Sequence, residues 1–285
     1  MFVVVDSGST KADWKIVEGQ EIQSLSTMGF NPVFHSTEHI LEEVQKAFES
    51  IPAKHQVDKV FYYGAGCWDA NLKSVVRDAL VRVFVNARVE VEHDLLGAAR
   101  ATCGKNAGIA CILGTGSNSC RYDGQDVVDN VTNLGYLLGD EGSGTHLGKA
   151  LIRAYFYREL PAALKEVVDQ EYPGGKQAML DHIYGEDTPN VYLASFTRLM
   201  NEHKAHPFFQ RLLYNSFSEF IDRHVRKYNY HLSLPIHFIG SVAFYFQNII
   251  RVVLEERSMK PGIFIQKPID KLLHFHQAGQ AESDR

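Results

Sequence analysis

Cysteine is scarce in this 285-residue chain and is nowhere paired. The four thiols, Cys67, Cys103, Cys111 and Cys120, form no C-x-x-C and no zinc-type spacing. This argues against a disulfide framework and a zinc module, and fits small buried hydrophobes in a reducing compartment. Long apolar runs are lacking too. The first one meets Asp6 almost at once, too early for the core of a signal peptide, and no later run approaches the roughly 18 residues of a membrane span. A cytoplasmic protein with no membrane partner is expected. An excess of either charge is also missing, since 34 acidic and 29 basic residues are interspersed and sum to −5. The electrostatic footprint of a nucleic-acid binder or a polybasic anchor is therefore absent, and no nucleic-acid partner is expected. Any phosphate handling must be local.

What remains is an ordinary globular composition, 45% hydrophobic and 22% charged. The length lies near the roughly 250 to 300 residues at which single cores stop growing, so two domains are expected. The chain is organised around its opening, MFVVVDSGSTKADW. A buried strand, Phe2 to Val5, runs into Asp6 and a turn of Ser7, Gly8, Ser9, Thr10 and Lys11 before a second strand. A carboxylate at a strand end beside such a turn offers a metal-binding oxygen, backbone N–H donors and hydroxyls in one small volume, which suits a Mg-nucleotide phosphate tail. An ordinary hairpin turn uses the same residue types. A meander closes at Glu18-Gly19-Gln20. Asn31-Pro32 forces a turn, and Ser36 or Thr37 caps an amphipathic helix ending before Pro52. DKVFYYGAGC and ARVEVEHD read as buried strands separated by a helix. The second ends at His93-Asp94, where a helix begins, the end at which open α/β sheets place ligands. An N-cap role is the plainer alternative for Asp94.

At Gly104-Lys105-Asn106 the pattern restarts. GIACILGTGSNSCRYDGQDVVDN again gives strand, Gly/Ser/Thr turn (Gly114, Thr115, Gly116, Ser117), strand and strand. Two such turns heading two similarly ordered halves imply a duplicated α/β fold that faces them across a cleft. GYLLGDEGSGTHLG follows, with Asp140 and Glu141 among five glycines, and then a region from Pro161 to about Leu232 of helical period. A late strand is broken at Gly240-Ser241 and is followed by a helix over Phe244 to Glu256. A further strand and a short amphipathic helix lead to a frayed end.

Three motifs therefore stand in order: DSGSTKADW, GTGS within ILGTGSNS, and FIGSVA. With them the chain resembles the superfamily of actin, sugar kinases and heat-shock ATPases. HDLLGAARA and GYLLGDEGSG make it similar to the N-acetylglucosamine kinase and BadF/BadG/BcrA/BcrD ATPase family, over essentially the whole chain. The resemblance implies an α/β fold of two RNase-H-like domains around an interdomain nucleotide cleft. These would be residues 1–104 and 105–285, the second carrying the helical segment 161–232, with the last helix able to pack on the first domain. It implies ATP and Mg²⁺ as cofactors. Asp6 would hold the ion largely through water; Ser7 to Lys11 and Gly114 to Ser117 would take the phosphates, and Gly240 and Ser241 the adenosine. Asp94 would be the base for a sugar hydroxyl, and Asn31, Asp140, Thr115 and Gly116 would contact the sugar.

The activity implied is phosphorylation of an amino sugar, N-acetylglucosamine at its 6-hydroxyl, by a protein that could be a homodimer. Two other readings share the motifs: an ATPase that activates a partner dehydratase or reductase, and a non-catalytic sugar or ATP sensor. The activator would need cysteine ligands for an iron–sulfur cluster, and no cysteines form an evident paired set. A DNA-binding version is not expected, since no helix-turn-helix precedes Met1. Ser7 and Ser9 replace the glycines common in relatives, and no glycine lies near Asp270-Lys271.

Overall fold

The computed structural model describes residues 1–8, 10–185 and 188–283. It divides into two compact units, one of residues 1–105 with 268–285 and one of residues 106–267.

The first unit opens with β1 (Phe2–Ser7), β2 (Lys11–Glu18) and β3 (Glu21–Met28), an antiparallel meander. Val3, Val4 and Val5 are wholly buried because β1 is the middle strand of its sheet and is covered on both faces. In β2 the pattern alternates, with Ala12, Trp14 and Ile16 turned into the core. Ser36 caps α1 (Thr37–Ala47), its hydroxyl accepting from the His39 N–H. Next come β4 (Lys59–Gly64), α2 (Ala70–Val83) capped by Asp69, β5 (Arg88–His93) and α3 (Asp94–Cys103). The sheet order is β3-β2-β1-β4-β5, with β1, β4 and β5 parallel. Ser7, Gly64 and His93 are register partners in one row across the carboxyl edge of those three strands. Trp14, Phe48 and Phe84 fix the core edge to face, with centroids 5.2 and 5.0 Å apart. Each such pair adds about 1 kcal/mol beyond its burial.

The second unit repeats the plan. It runs β6 (Gly108–Leu113), β7 (Ser117–Tyr122), β8 (Val127–Asp129), α4 (Gly135–Leu138) and α5 (Gly144–Phe156). Then follow α6 (Ala162–Glu171), α7 (Gly175–Gly185), α8 (Pro189–Ser195), α9 (Thr197–Glu202) and α10 (Pro207–Arg223). It closes with β9 (Pro235–Ile239), α11 (Ser241–Tyr245), α12 (Gln247–Glu255) and β10 (Lys260–Ile265). Counted from β8, the sheet order is β8-β7-β6-β9-β10, the same meander-plus-two-parallel-strands order as in the first unit. The duplicated α/β plan of two RNase-H-like domains is thus present in the strand orders themselves.

Some boundaries differ from the sequence reading. The helix expected over 244–256 starts at Ser241 and is two helices, interrupted at Phe246, whose buried ring packs 6.2 Å from that of Phe217. In α10, Phe209, Leu213, Phe217 and Phe220 face the core and Phe208 is half-buried beside them. The last helix is long: α13 (Ile269–Ser283) runs well into the stretch expected to fray and packs on α3, β1 and β2 of the first unit. It buries Ile269, Leu272, Leu273 and His276. His276 stacks on Phe61 at 3.8 Å, and its Nε2 accepts from the Tyr63 hydroxyl at 2.8 Å, while Arg100 donates to the Tyr63 oxygen. Burial, then the Arg100 charge, holds the His276 imidazole down at about 3.

Candidate functional site

In the first unit the residues singled out from the sequence gather at the carboxyl edge of the parallel strands. Asp6 is half-buried in β1, in register with Asp13 of β2. The turn after it is closed by the Gly8 N–H donating to the Lys11 carbonyl at 2.9 Å. Ser7 faces inward, its hydroxyl fully buried and accepting from the Phe30 N–H at 3.0 Å, so it ties the segment before Asn31 to the turn. Ser9 lies outside the described residues. Thr10 is exposed, and Lys11, also exposed, pairs with Asp13 at 3.1 Å. Asn31 is buried; its Oδ1 accepts from the Val33 N–H at 3.0 Å, and its own N–H donates to His35 Nδ1 at 3.2 Å. The amide Nδ2 carries none of these bonds.

Asp94 is the first residue of α3, and the cap before it is His93. The Leu95 N–H donates to His93 Nδ1 at 3.1 Å, so that nitrogen presents a lone pair. Its 3.0 Å approach to Asp94 Oδ1 therefore joins two acceptors and is no hydrogen bond. Asp94 Oδ1 is buried with no donor among the described residues. A buried carboxylate oxygen without a partner costs free energy, about 1–3 kcal/mol or more, unless a ligand supplies the hydrogen.

In the second unit the turn after β6 is held by its neighbours. The Gly114 N–H donates to the Gly116 carbonyl at 3.0 Å. The Gly114 and Thr115 carbonyls accept from the N–H groups of Gly144 and Thr145 at 2.8 and 3.1 Å, and the Thr145 hydroxyl adds a 2.6 Å bond to Thr115. The start of α5 therefore spends two of its free N–H groups on this turn. The Ser117 N–H donates to Asp140 Oδ1 at 3.0 Å, and Asn133 Nδ2 donates to the same oxygen at 2.7 Å. Asp140 sits in the left-handed region at φ 59°, a conformation Asp tolerates. The Ser117 hydroxyl is buried without a partner among the described residues. Glu141 accepts from His224 Nε2 at 3.1 Å. Burial alone would raise the Glu141 carboxyl, but its own backbone N–H and His224 outweigh this and hold it below the usual carboxylate range. Gly240 opens α11 at φ 112°, where a Cβ would lie 2.3 Å from the Leu113 carbonyl oxygen, and Ser241 is exposed beside it. Gly114–Ser117 and Gly240–Ser241 thus share the carboxyl edge of β6 and β9.

No protein-family model and no curated protein matches the chain. Among solved structures, a candidate N-acetylglucosamine kinase from Porphyromonas gingivalis is 37% identical, covers 98% of this chain and 100% of its own, and superposes with a TM-score of 0.93. The chain belongs to the N-acetylglucosamine kinase family. A candidate N-acetylglucosamine kinase from Chromobacterium violaceum is 19% identical over 96% of this chain and 99% of its own, with a TM-score of 0.74. A ROK family glucokinase from Streptomyces griseus, solved with glucose and AMPPNP, is 17% identical over 93% of each chain, with a TM-score of 0.53. These last two share the fold.

In this member of the N-acetylglucosamine kinase family, several residues that hold the candidate site are not motif residues. Gly29 is the clearest: a Cβ there would stand 2.0 Å from the Gly8 carbonyl oxygen and 2.6 and 2.7 Å from the Lys11 and Thr10 nitrogens. The turn can close only against a residue without a side chain. Its signal in the sequence is a glycine just beyond a strand end, GFNP, common enough to pass unnoticed. Asn133, from a loop, and Thr145, from the first turn of α5, support the other turn through pairings that only the fold reveals.

Proposed function

We propose that the chain is an ATP-dependent sugar kinase that transfers the γ-phosphoryl group to an amino sugar, with the 6-hydroxyl of N-acetylglucosamine as acceptor. The observation that carries this reading is the buried Oδ1 of Asp94, which has no donor among the described residues. It adjoins His93, which stands in the same register row as Ser7 at the start of the turn. A sugar hydroxyl donating to that oxygen would satisfy it. As the hydroxyl oxygen bonds to phosphorus and the bond to the ADP oxygen breaks, the hydroxyl proton passes to Oδ1. Phosphoryl transfer runs through a loose transition state and depends on positioning more than on base strength, so Asp94 acts chiefly by orienting the hydroxyl.

The other residues divide the substrates. Asn31 Nδ2 donates to a sugar hydroxyl, and Asp140 accepts from one through Oδ2, since its Oδ1 already serves Ser117 and Asn133. Thr115 and Gly116 contact the same sugar. The turns at residues 7–11 and 114–117 take the nucleotide phosphates through the Ser9, Thr10 and Ser117 hydroxyls, the Lys11 ammonium and those backbone N–H groups that the fold does not already bind, which excludes Gly8, Gly114 and Ser117. Gly240 and Ser241 border the adenosine. The S. griseus glucokinase was solved with AMPPNP, an ATP analogue, which makes ATP the first nucleotide to test.

Among the described residues, no cluster of three His, Cys, Asp or Glu side chains could hold a metal. The Asp6 carboxylate fits Mg²⁺, which takes most of its ligands from water and phosphate when bound with a nucleotide. When bound, the ion neutralises phosphate charge. The test is a coupled ADP-release assay with Mg-ATP over N-acetylglucosamine, N-acetylmannosamine, glucosamine and glucose. Turnover stimulated most by N-acetylglucosamine, with the product's phosphate on the 6-oxygen, is expected. No stimulation by any of these sugars would overturn the reading.

A further inference from the structure

The loop between β4 and α2, residues 65–69, carries a feature the proposed chemistry has not used. It is pinned at each step. The Ala65 N–H donates to the Ser7 carbonyl at 2.9 Å. Gly66 stands at φ 81° with its missing Cβ directed 2.3 Å from Asn31 Oδ1. Cys67 is wholly buried, its thiol pushed up to about 12 by burial first and the Asp94 charge second. Asp69 accepts from the Leu72 N–H and caps α2.

Between these anchors Trp68 is left 62% exposed. It belongs to no core cluster, and its ring contact is with His93, at 6.0 Å between centroids and 47° between planes. His93 directly precedes Asp94. A single loop thus approaches Asn31 through Gly66 and the residue before Asp94 through the exposed indole of Trp68. A large ring on a hydrogen-bonded loop, left in water 6.0 Å from the ring of the residue that precedes Asp94, suits a ligand that is polar at its edge and apolar on its face. Pyranoses with equatorial hydroxyls have that form, because their ring C–H bonds project from both faces.

We propose that Trp68 is the acceptor-stacking residue: its indole receives the C–H face of the pyranose whose hydroxyl meets Asp94, and so favours sugars whose face is unbroken by an axial hydroxyl. This rests on the sugar-kinase reading above. The chain contains two tryptophans, and the other, Trp14, is wholly buried in the core. Emission from Trp68 therefore reports sugar binding without turnover.

The test compares full-length wild type, Trp68→Ala and Trp68→Phe. An aromatic contact of this kind corresponds to about a tenfold effect on binding. Trp68→Ala is expected to raise the KM for N-acetylglucosamine about tenfold, while the KM for ATP and kcat change less than about twofold. Trp68→Phe should recover most of the loss, since it keeps a ring. Titration of nucleotide-free wild type with N-acetylglucosamine should change tryptophan emission, and the same titration of Trp68→Phe should leave the Trp14 signal flat. A Trp68→Ala enzyme with an unchanged sugar KM, or a Trp68→Phe protein with the wild-type emission change, would overturn the proposal while leaving the kinase reading intact. A wild type that neither binds nor phosphorylates any sugar would remove the kinase reading, and this proposal with it.

Discussion

The two glycine-bearing turns are alike in sequence and unlike in how they are held. The turn after β1 closes on itself, through Gly8 and Lys11, and is tight because Gly29 brings no side chain against it. Ser7 adds an inward tie to Phe30. The turn after β6 has its carbonyls bound by the first N–H groups of α5 and its Ser117 N–H bound by the Asp140 carboxylate. The first is thus maintained by backbone approach and the second by hydrogen bonds from distant parts of the chain. The same strand order therefore does not make the halves interchangeable: steric changes should hurt the first turn, and losses of a single polar group the second.

The largest expected effect is Gly29→Ala. The new Cβ would meet backbone atoms that cannot rotate away, so a loss of about 3 kcal/mol or more is expected, read by urea unfolding and by a lowered Tm. An unchanged Tm would show that the turn is looser than the packing implies. Next comes the pH response of the first unit, which uses α13 to cover β1 and β2. His276 is held neutral there, far below its ordinary 6.5. The unfolded chain binds this proton more readily, so the stabilisation is present above about 6.5 and is lost as pH falls toward 3. The slope is at most ~1.4 kcal/mol per pH unit for one proton, or about 2 kcal/mol between pH 6.5 and 5. His276→Gln, which does not titrate, should flatten urea-unfolding stability over that range; an equal slope in both proteins would assign the effect elsewhere. The smallest is Thr145→Val, which removes the hydroxyl bond to Thr115 and should cost about 1 kcal/mol while raising the KM for ATP. If stability and nucleotide KM both stay put, α5 does not hold the second turn.

Much of this was legible in the chain. Alternation in KADWKIV, the Ser36 cap and the restart at residue 105 each have a local cause, so strands, helices and the duplication followed from neighbours in sequence. Asp6, Asp94 and GTGS were visible because strand ends and small-residue turns are local patterns. What escaped depends on contacts between distant segments. Gly29 matters only because residues 8–11 fold back over it, and Asn133 only because Asp140 reaches Ser117. Phe246 interrupts a helical period because its ring is drawn to Phe217, and α13 outruns its expected end because it lies on β1 and β2. Asp94 itself was open to an N-cap reading, and the structure gives that role to His93.

The central claim is that Asp94 receives the acceptor hydroxyl, and Asp94→Asn tests it most directly. The amide keeps the size and the position at the start of α3 but gives up the carboxylate. With N-acetylglucosamine and Mg-ATP, kcat should fall by about 10² to 10⁴, while Tm and ATP affinity stay near wild type. A kcat within about threefold of wild type would contradict the assignment.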